Sequence, residues 1–314
     1  MNPEKKITKK ITWLEISLLA LVTVLFLWWL IPVKLAKNEN KSEIGAESAK
    51  TEFPIVALEA KSAYVLDVNT GEVLFEKESE LQWPLASLAK LMVVFTASKL
   101  VPDYMLVRIT SDDVMEEGDT GLLIGEEWNI KKLIDYSLVV SSNDGIRAIA
   151  SVAGAGIARS ATTSGEILFV DNMNKLAREI GLTETYFLNQ SGLDLSGNLS
   201  GGYGSARDVA LLIREILKTN VHMLEATAFS KINIDSKNKI HNAVNTNKVL
   251  EKIPNVLASK TGYTELSGGN VVVAFNVGLD RPLIISVMGS SYDGRFNDLN
   301  ALVDATLRYF VNTK

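Results

Sequence analysis

The composition and charge of this chain exclude several classes of protein before any motif is considered. Its 314 residues, 47% of them apolar, are enough to bury a substantial core in one or two domains. The formal net charge is only -5, without the basic surface that a nucleic-acid-binding protein needs. There is no cysteine, and the two histidines are His222 and His241. Disulfide scaffolds, thiolate catalysis and cysteine-ligated zinc are therefore excluded.

The first predicted element is a membrane span from Trp13 to Val33. This stretch has about the 20 apolar residues that a helix needs to cross a bilayer, with tryptophans near both ends. The alternative is a cleaved signal peptide, but the residues that follow contain no clean small-x-small cleavage step. An uncleaved signal anchor is therefore expected, with residues 1–12 as a cytoplasmic tail. A slight excess of lysines before the span favours this orientation, which makes the rest of the chain extracytoplasmic.

Residues 34–54 are polar, lack hydrophobic periodicity and predict a flexible tether, so the folded domain is expected to cover residues 55–314. The domain begins with a predicted hairpin: SAYVLDV and EVLFEK alternate in hydrophobicity around a turn at Asn69-Thr70-Gly71. Next comes a predicted helix over LASLAKLMVVFTASKL, with Pro84 near its start.

Four further helices are predicted in the middle of the chain, over KKLIDYSLVV, GIRAIASVAG, FVDNMNKLAREIG and SARDVALLIREILKT. After Pro254 the pattern returns to strands, over VLASKTGYT, GGNVVVAFNVG and RPLIISVMGSS, and a helix over DLNALVDATLRYFV follows. Strands at both ends with helices between them predict an α+β domain, in which both termini contribute to one sheet.

The first candidate motif is SLAK, residues 87–90. Ser87 lies in the opening turn of the predicted helix, whose N-terminus favours a developing alkoxide, and Lys90 follows one turn later on the same face. Burial against Leu91 and Met92 would lower the pKa of Lys90, so that a neutral amine could take the Ser87 proton. The same spacing recurs in the polar stretch at residues 236–239, so spacing alone does not establish a site.

The second candidate motif is SSN, residues 141–143, between two predicted apolar helices. Such a connection can hold a hydroxyl and an amide rigidly beside a nucleophile. The alternative is a helix N-cap, made by Ser142 or Asn143. Residues 196–198, SGN, match the pattern equally well but lie in a glycine-rich stretch that predicts a turn-rich connection.

The third candidate motif is KTG, residues 260–262, inside a predicted strand. Glycine weakens a strand and often marks the close approach of a ligand or another backbone. Lys260 and Gly262 should face one side and Thr261 the other, so Thr261 could contact a substrate only from an edge strand or through local twist. The alternative is an ordinary exposed edge guarded by a lysine.

Together, these motifs resemble the active site of the penicillin-recognising serine hydrolases, and more narrowly of the D-alanyl-D-alanine carboxypeptidase family of low-molecular-mass penicillin-binding proteins. NMNKLAREIGLTETYFLNQSGLD, YGSARDVALLIREIL, NTNKVL, SKTGYTELSGGNVVVAF and the final GRFND helix resemble the family in the expected order, over about residues 55–314. The resemblance implies a β-lactamase/transpeptidase-like fold, with an antiparallel sheet built from both termini, helices packed on it and a helical subdomain between.

The resemblance also implies roles for single residues. Ser87 would be the acylated nucleophile and Lys90 its base, and Ser141 would relay a proton to the leaving D-alanine nitrogen. The backbone N–H groups of Ser87 and Tyr263 would form the oxyanion hole. The remaining substrate-binding residues would be Asn143, which orients the peptide amide, and Gly262. Lys260 and Thr261 would bind the terminal carboxylate, with Arg295 as a further candidate for the same task.

The implied partners are a peptidoglycan stem peptide ending in D-alanyl-D-alanine, β-lactams as covalent inhibitors and the membrane, and no cofactor or metal is required. A D,D-endopeptidase acting on cross-links, a β-lactamase and a non-catalytic β-lactam or wall-binding sensor remain as alternatives. For a β-lactamase, Glu166 lacks the expected following asparagine and is interpreted as a solvated residue before a helix. His222, near a helix end, and His241, in a polar loop, are expected to be bystanders.

Overall fold

The computed structural model describes residues 52–118, 120–158 and 164–312. The predicted span from Trp13 to Val33, the cytoplasmic tail and the tether up to residue 51 lie outside the described residues. Within the described ranges, no helix has the length and apolar character needed to cross a bilayer. Phe53, at the end of the predicted tether, packs against Phe75 and Tyr309 with ring centroids 5.8 and 5.7 Å away.

The regular elements follow the chain in a mixed order. The strands are β1 Ser62–Asp67, β2 Val73–Lys77, β3 Trp83–Pro84, β4 Leu106–Arg108, β5 Glu127–Asn129, β6 Tyr186–Phe187, β7 Gly202–Gly204, β8 Lys231–Asp235, β9 Ile240–Val244, β10 Val256–Thr264, β11 Gly268–Asn276 and β12 Pro282–Ser290. The helices are α1 Ala89–Leu100, α2 Ile130–Val139, α3 Asn143–Ala155, α4 Gly165–Glu179, α5 Ala206–Thr219 and α6 Gly294–Asn312.

The main sheet confirms that strands from both ends of the domain lie together. It has five strands in the order β10-β11-β12-β1-β2. All neighbouring pairs are antiparallel, with Tyr64 opposite Ser286 and Lys260 opposite Val272. Strand β10, which carries the KTG motif, is therefore an edge strand, as contact between Thr261 and a substrate requires.

A separate apolar core covers each face of this sheet. Val271, Val273 and Phe275 of β11 belong to the core that contains α6. Val272 and Ala274, which alternate with them, belong to the core that contains α5 and the other helices. Because both faces are covered, β11 reads as an unbroken apolar run although it is antiparallel.

The helices between β2 and β8 confirm the predicted helical subdomain. Side chains from α1, α2, α3 and α4 share one core, in which Phe95, Trp128, Leu133, Ile149 and Phe169 are buried. The subdomain stands beside the β10 edge of the sheet, and the three motifs meet at this junction.

Two helix predictions need correction. The helix predicted to contain Ser87 begins only at Ala89, because Ala86 has a φ of 48° that interrupts helical geometry. Ser87 lies in a 3-10 turn, Ala86–Leu88, directly before α1. Glu166 is not in front of a helix but in the first turn of α4, with an oxygen 3.3 Å from Arg147 Nε.

The prediction for His241 was also wrong about its surroundings. His241 lies on β9 and is buried, with Nε2 2.6 Å from Glu126 Oε1 and its ring 4.9 Å from the Trp128 ring. The stretch looked polar because His241 and Asn242 closely follow the polar turn at residues 236–239. His222 is exposed, in a 3-10 segment that follows α5.

Candidate active site

The turn that carries Ser87 is held from two directions. Asn270 of β11 donates from Nδ2 to the carbonyl oxygens of Pro84 and Leu85, at 2.9 and 3.1 Å. The Leu85 N–H donates to the Gly202 carbonyl at 2.9 Å. The main sheet and strand β7 therefore fix the position of the Ser87 hydroxyl.

Lys90 is buried, with 0% of its surface exposed. Its Nζ lies within hydrogen-bond distance of Ser87 Oγ at 2.9 Å, Asn143 Oδ1 at 2.6 Å and the Ser191 carbonyl at 2.8 Å. Burial lowers the pKa of Lys90 to about 7, and the carboxylate of Glu116 opposes this shift. A large fraction of Lys90 is therefore neutral near physiological pH, and a neutral amine can accept the Ser87 proton.

The SSN motif forms the tight connection between α2 and α3. Ser141 has a φ of 62°, a left-handed conformation that few residues other than glycine adopt, and its Oγ accepts a hydrogen bond from Lys260 Nζ at 2.8 Å. Strain of this kind in a non-glycine residue is typical of functional sites. Ser142 is the N-cap, since its Oγ accepts from the Gly145 N–H at 3.0 Å. The motif therefore serves both purposes: Ser142 caps α3, and its neighbour Ser141 contacts Lys260 in the candidate site.

Asn143 links Lys90 to the loop that contains Glu117. Its Oδ1 accepts from Lys90, and its Nδ2 donates to the Glu117 carbonyl at 2.5 Å. Both ends of the amide are thus held, and its orientation relative to Ser87 is fixed by protein contacts.

Lys260 is the second buried lysine of the site. Its Nζ donates to Ser141 Oγ and, at 2.7 Å, to the Thr261 carbonyl. Burial, followed by the nearby charges of Lys90 and Arg295, holds the pKa of Lys260 well below its usual range. A lysine with a lowered pKa that bonds to Ser141 can exchange a proton with that hydroxyl.

Gly262 lets strand β10 pass directly beside the nucleophile turn. A Cβ at this position would lie 3.0 Å from the Leu85 carbonyl oxygen and 3.1 Å from Ser87 N. This confirms the close approach that glycine in the predicted strand indicated. Thr261 Oγ1 lies 2.7 Å from Thr246 Oγ1, so the edge of β10 also meets the segment before β10.

The three motifs enclose one open cavity of ≈ 510 Å³. Of the residues singled out in the sequence, six line it directly: Ser87, Ser141, Thr261, Gly262, Tyr263 and Arg295. Lys90, Asn143 and Lys260 lie behind this wall. Lys90 bonds to Ser87 and to Asn143, and Lys260 bonds to Ser141. Arg295 is buried and donates from an Nη to the Gly262 carbonyl at 2.9 Å. Burial lowers the pKa of Arg295 from its usual value.

Several residues of the site were not predicted from the sequence. Ser191 supplies a backbone carbonyl to Lys90, and any residue type can supply a carbonyl, so no motif indicates it. Thr246 and Asn270 lie in stretches that resemble the family, NTNKVL and SGGNVVVAF, but their roles depend on contacts with distant parts of the chain.

The two recurrences of the motifs lie away from this cavity. Ser236 and Lys239 lie in the turn between β8 and β9, where Ser236 Oγ donates to Glu126 Oε1 at 2.6 Å and Lys239 is exposed. Ser196 lies in an exposed loop and donates to Asn198 Oδ1 at 2.8 Å. Both are structural, as the sequence indicated.

Comparisons with known proteins identify the family of the chain. A family model described as D-alanyl-D-alanine carboxypeptidase, peptidase family S11, matches residues 46–292. D-alanyl-D-alanine carboxypeptidase DacF of Bacillus subtilis is 31% identical over 217 residues, which are 67% of this chain and 52% of the relative. DacB2 of Mycobacterium tuberculosis is 28% identical over 236 residues, 75% of this chain and 76% of the relative. The chain thus spans about half the length of the Bacillus relative.

Solved structures share the fold. A D-alanyl-D-alanine carboxypeptidase from Mycobacterium tuberculosis H37Rv aligns with a TM-score of 0.70 and 26% identity, covering 82% of this chain and 94% of that one. Penicillin-binding protein D2 from Listeria monocytogenes, in its ampicillin-bound form, aligns with a TM-score of 0.64 and 24% identity, covering 80% and 99%. The fold is therefore that of penicillin-binding proteins.

Proposed function

The chain belongs to the D-alanyl-D-alanine carboxypeptidase family, peptidase family S11, and from that premise we propose that it removes the terminal D-alanine from peptidoglycan stem peptides through an acyl-enzyme on Ser87. The observation that carries this proposal is the buried Lys90, whose Nζ lies 2.9 Å from Ser87 Oγ and whose pKa is lowered to about 7. This lysine takes the role that histidine plays in other serine hydrolases. β-Lactams, which offer a reactive amide to the same serine, are the expected covalent inhibitors.

In the first step, neutral Lys90 takes the proton of Ser87 and Ser87 Oγ attacks the carbonyl carbon of the penultimate D-alanine. The backbone N–H groups of Ser87 and Tyr263 stabilise the oxyanion, and the loss of one such donor typically costs about 3 to 4 kcal/mol. The approach of β10 to Ser87, which Gly262 permits, supports this pairing. Asn143 orients the peptide amide beside Lys90.

In the second step, the C–N bond breaks and Ser141 passes a proton to the leaving nitrogen. The proton that Lys90 took from Ser87 then restores the Ser141 hydroxyl, so that Lys90 is neutral again. The bond from Lys260 Nζ to Ser141 Oγ supports this relay, because it connects the serine to a second proton-exchanging amine. Thr261, Arg295 and Lys260 bind the terminal carboxylate of the leaving D-alanine. Neutral Lys90 then takes a proton from the water that attacks the ester carbonyl and gives it to Ser87 Oγ as the ester C–O bond breaks, which releases the shortened stem peptide and restores the serine.

Covalent labelling with a fluorescent penicillin tests the nucleophile. The unmodified protein should label and Ser87→Ala should not. Ser111→Ala, which removes an exposed hydroxyl that lines neither the cavity beside Ser87 nor the neighbouring cavity that shares Tyr263 with it, is the control and should label normally. Labelling of Ser87→Ala at the normal rate would refute the assignment.

Release of free D-alanine from a pentapeptide ending in D-alanyl-D-alanine separates the peptidase from a non-catalytic sensor. A peptidase releases D-alanine catalytically, whereas a sensor would label with penicillin and release none. A β-lactamase would hydrolyse many equivalents of penicillin per enzyme and would show no lasting label.

We also propose that residues 13–33 anchor the chain in the cell membrane as a single span, with the catalytic domain extracytoplasmic. The apolar length of this stretch and its flanking tryptophans support the proposal. The full chain should remain in the membrane pellet after alkaline carbonate extraction, and protease added to spheroplasts should digest the domain. Extraction into the supernatant, or protection from the protease, would contradict it.

A further inference from the structure

The segment of residues 110–118, which follows β4, reaches the candidate site at Glu117. It contains a 3-10 turn, Asp113–Met115, that packs against α3. The Glu117 carbonyl accepts a hydrogen bond from Asn143 Nδ2, and Asn143 Oδ1 accepts from Lys90 at 2.6 Å. The position of this segment therefore bears directly on the amide that contacts the catalytic lysine.

Arg147 holds the residue that precedes Glu117. Its Nη1 donates to Glu116 Oε1 at 2.9 Å. Arg147 lies four positions after Asn143 on α3, so the two side chains are neighbours on one face of the helix. Helix α3 therefore holds two consecutive residues of the segment, one through its carbonyl and the other through its side chain.

Arg147 is itself held by other charges. Glu166, in the first turn of α4, has its Oε1 3.3 Å from Arg147 Nε. The buried carboxylate of Asp113 also acts on this guanidinium. The exposed fractions are 18% for Glu116, 27% for Arg147 and 34% for Glu166, so water screens these charges less than it screens those of a surface pair.

The charge of Glu116 acts on the base of the reaction. The three hydrogen-bond partners of Lys90 are uncharged: the Ser87 hydroxyl, the Asn143 amide and the Ser191 carbonyl. Charges act on Lys90 from two sides, because Lys260 repels its ammonium and the Glu116 carboxylate stabilises it. Arg147 offsets the negative charge of Glu116, so the charged form of Lys90 is stabilised less than by an unpaired carboxylate.

We propose that Arg147 is a positioning residue for the acylation step. Through its bond to Glu116 it keeps the next backbone carbonyl of the segment on the Asn143 amide. Through its charge it offsets the Glu116 carboxylate, which otherwise favours the protonated form of Lys90. This inference rests on the proposed function, since it requires Lys90 to act as the base.

The pH dependence of labelling by a fluorescent penicillin tests the effect of charge in the full-length protein. The second-order rate constant is measured from pH 5 to 9, and the midpoint of its rise is compared between variants. Glu116→Gln should lower the midpoint by roughly half a pH unit, because the pKa of Lys90 loses the carboxylate that raises it. Arg147→Met should raise the midpoint by a similar amount, because the carboxylate is then unpaired. A role in folding alone would leave both midpoints unchanged.

The plateau of the same profile at high pH tests the effect on position. Lys90 is neutral there in every variant, so the plateau reports geometry. It should fall about tenfold in Arg147→Met, which releases the segment, and stay within about twofold in Glu116→Gln, whose amide oxygen still accepts from the guanidinium. Arg147→Lys keeps a cation beside Glu116 and should restore the midpoint and most of the plateau.

Glu179→Gln is the matched control. It breaks an exposed ion pair with Lys175, at 3.7 Å, about 20 Å along α4 from Glu166, and its profile should match that of the unmodified protein. Circular dichroism shows whether each variant is folded, and if Arg147→Met is not, Glu116→Gln and Arg147→Lys decide the test.

Midpoints that stay unchanged in the folded variants overturn the inference, even where rate constants fall, and so does an equal shift in Glu179→Gln. In that case the proposed function stands, because the unmodified protein still labels. If the unmodified protein does not label with penicillin, the proposed function fails and this inference with it.

Discussion

Lys90 shows how the environment of one residue sets both reactivity and stability. Its ammonium has no exposed surface, and burial lowers its pKa to about 7. Lys90 must be neutral to act as a base. In water a lysine is charged at neutral pH, whereas in this site desolvation disfavours the charged form. Two measurements separate the catalytic effect of this shift from its effect on folding.

The rate of acylation by a penicillin should rise with pH through about 7. Below this pH Lys90 is protonated and cannot accept the Ser87 proton, and above it the amine is neutral. The second-order rate constant for labelling, measured between pH 5 and 9, should therefore increase at least several-fold. Circular dichroism over the same range controls for unfolding, and a flat profile would contradict the role of Lys90.

Lys90→Met should be more stable than the unmodified protein at neutral pH, although it barely acylates. In the unfolded chain Lys90 titrates near 10.5, and in the fold near 7. Below about pH 7 the charged lysine is buried at its full desolvation cost, and this destabilisation fades as pH rises from 7 towards 10.5. The melting temperature of the variant should be several degrees higher at pH 7, by a margin that shrinks by pH 10. A lower melting temperature at pH 7 would contradict this.

The residues that react could be predicted from sequence, but the residues that hold them could not. Ser87 and Lys90 are three residues apart across a 3-10 turn and the helix that directly follows it, so their proximity follows from local helical geometry. The contacts of Lys90 with Asn143 and Ser191 join parts of the chain that are 53 and 101 positions apart, and no local pattern records them. Ser191 also acts through its backbone, which carries no residue-type signal.

Among the elements, the loop between β6 and β7 has more influence on the site than its turn-rich sequence suggested. Gly192 in this loop has a φ of 77°, and a Cβ there would lie 2.0 Å from the carbonyl oxygen of Ala86, in the nucleophile turn. The loop therefore packs directly on the nucleophile turn. Ser191, the residue before Gly192 in the same loop, accepts a hydrogen bond from Lys90 through its carbonyl oxygen. Glycine at this position is required by close approach as well as by backbone conformation.

Gly192→Ala should lower the rate of penicillin acylation at least tenfold, because the loop must move away from the turn and take the Ser191 carbonyl with it. Gly181→Ala is a matched control, since Gly181 has nearly the same φ, 78°, and a Cβ added there would meet no atom within 4 Å. The control should lose about 1 kcal/mol of stability from backbone strain and acylate normally. Equal effects of the two substitutions on acylation would refute the packing argument.

The boundaries of elements were predicted less well than their existence. The strands of the hairpin follow from their β-rich alternation and the strands after Pro254 from their β-rich sequences, and the structure confirms them. The start of α1 was predicted too early because the left-handed Ala86 is set by its surroundings and not by its own preference. His241 was assigned to a loop because β9 has only five residues and its two polar residues, His241 and Asn242, closely follow the polar turn at residues 236–239.

At the scale of the whole molecule, the two ends of the domain are joined by one buried carboxylate. Asp298 of α6 accepts hydrogen bonds from the N–H groups of Glu59 and Ala60, each at 2.9 Å. Its Oδ2 also accepts from the Ser290 hydroxyl at 2.7 Å. The sequence predicted that strands of both termini share a sheet, but this contact outside the sheet has no sequence pattern.

Asp298→Asn should lower the free energy of unfolding by about 2 to 3 kcal/mol, because the amide nitrogen cannot accept and would face buried donors. Asp304→Asn is the control, since Asp304 is exposed on the same helix, and its effect should stay within about 0.5 kcal/mol. Urea denaturation of the two variants provides the comparison. Similar losses of unfolding free energy in both variants would show that the hydrogen bonds of Asp298 do not stabilise the fold.

The position of β10 at the border of the main sheet also bears on how the protein avoids self-association. An unpaired border strand is the usual place where separate molecules add strands to one another and grow into fibrils. Here other parts of the same chain stand along that border: the Ser259 N–H donates to Thr227 at 3.0 Å, Thr246 meets Thr261, and the nucleophile turn lies against Gly262. The contacts that shape the catalytic cleft therefore also block the surface on which such growth would start.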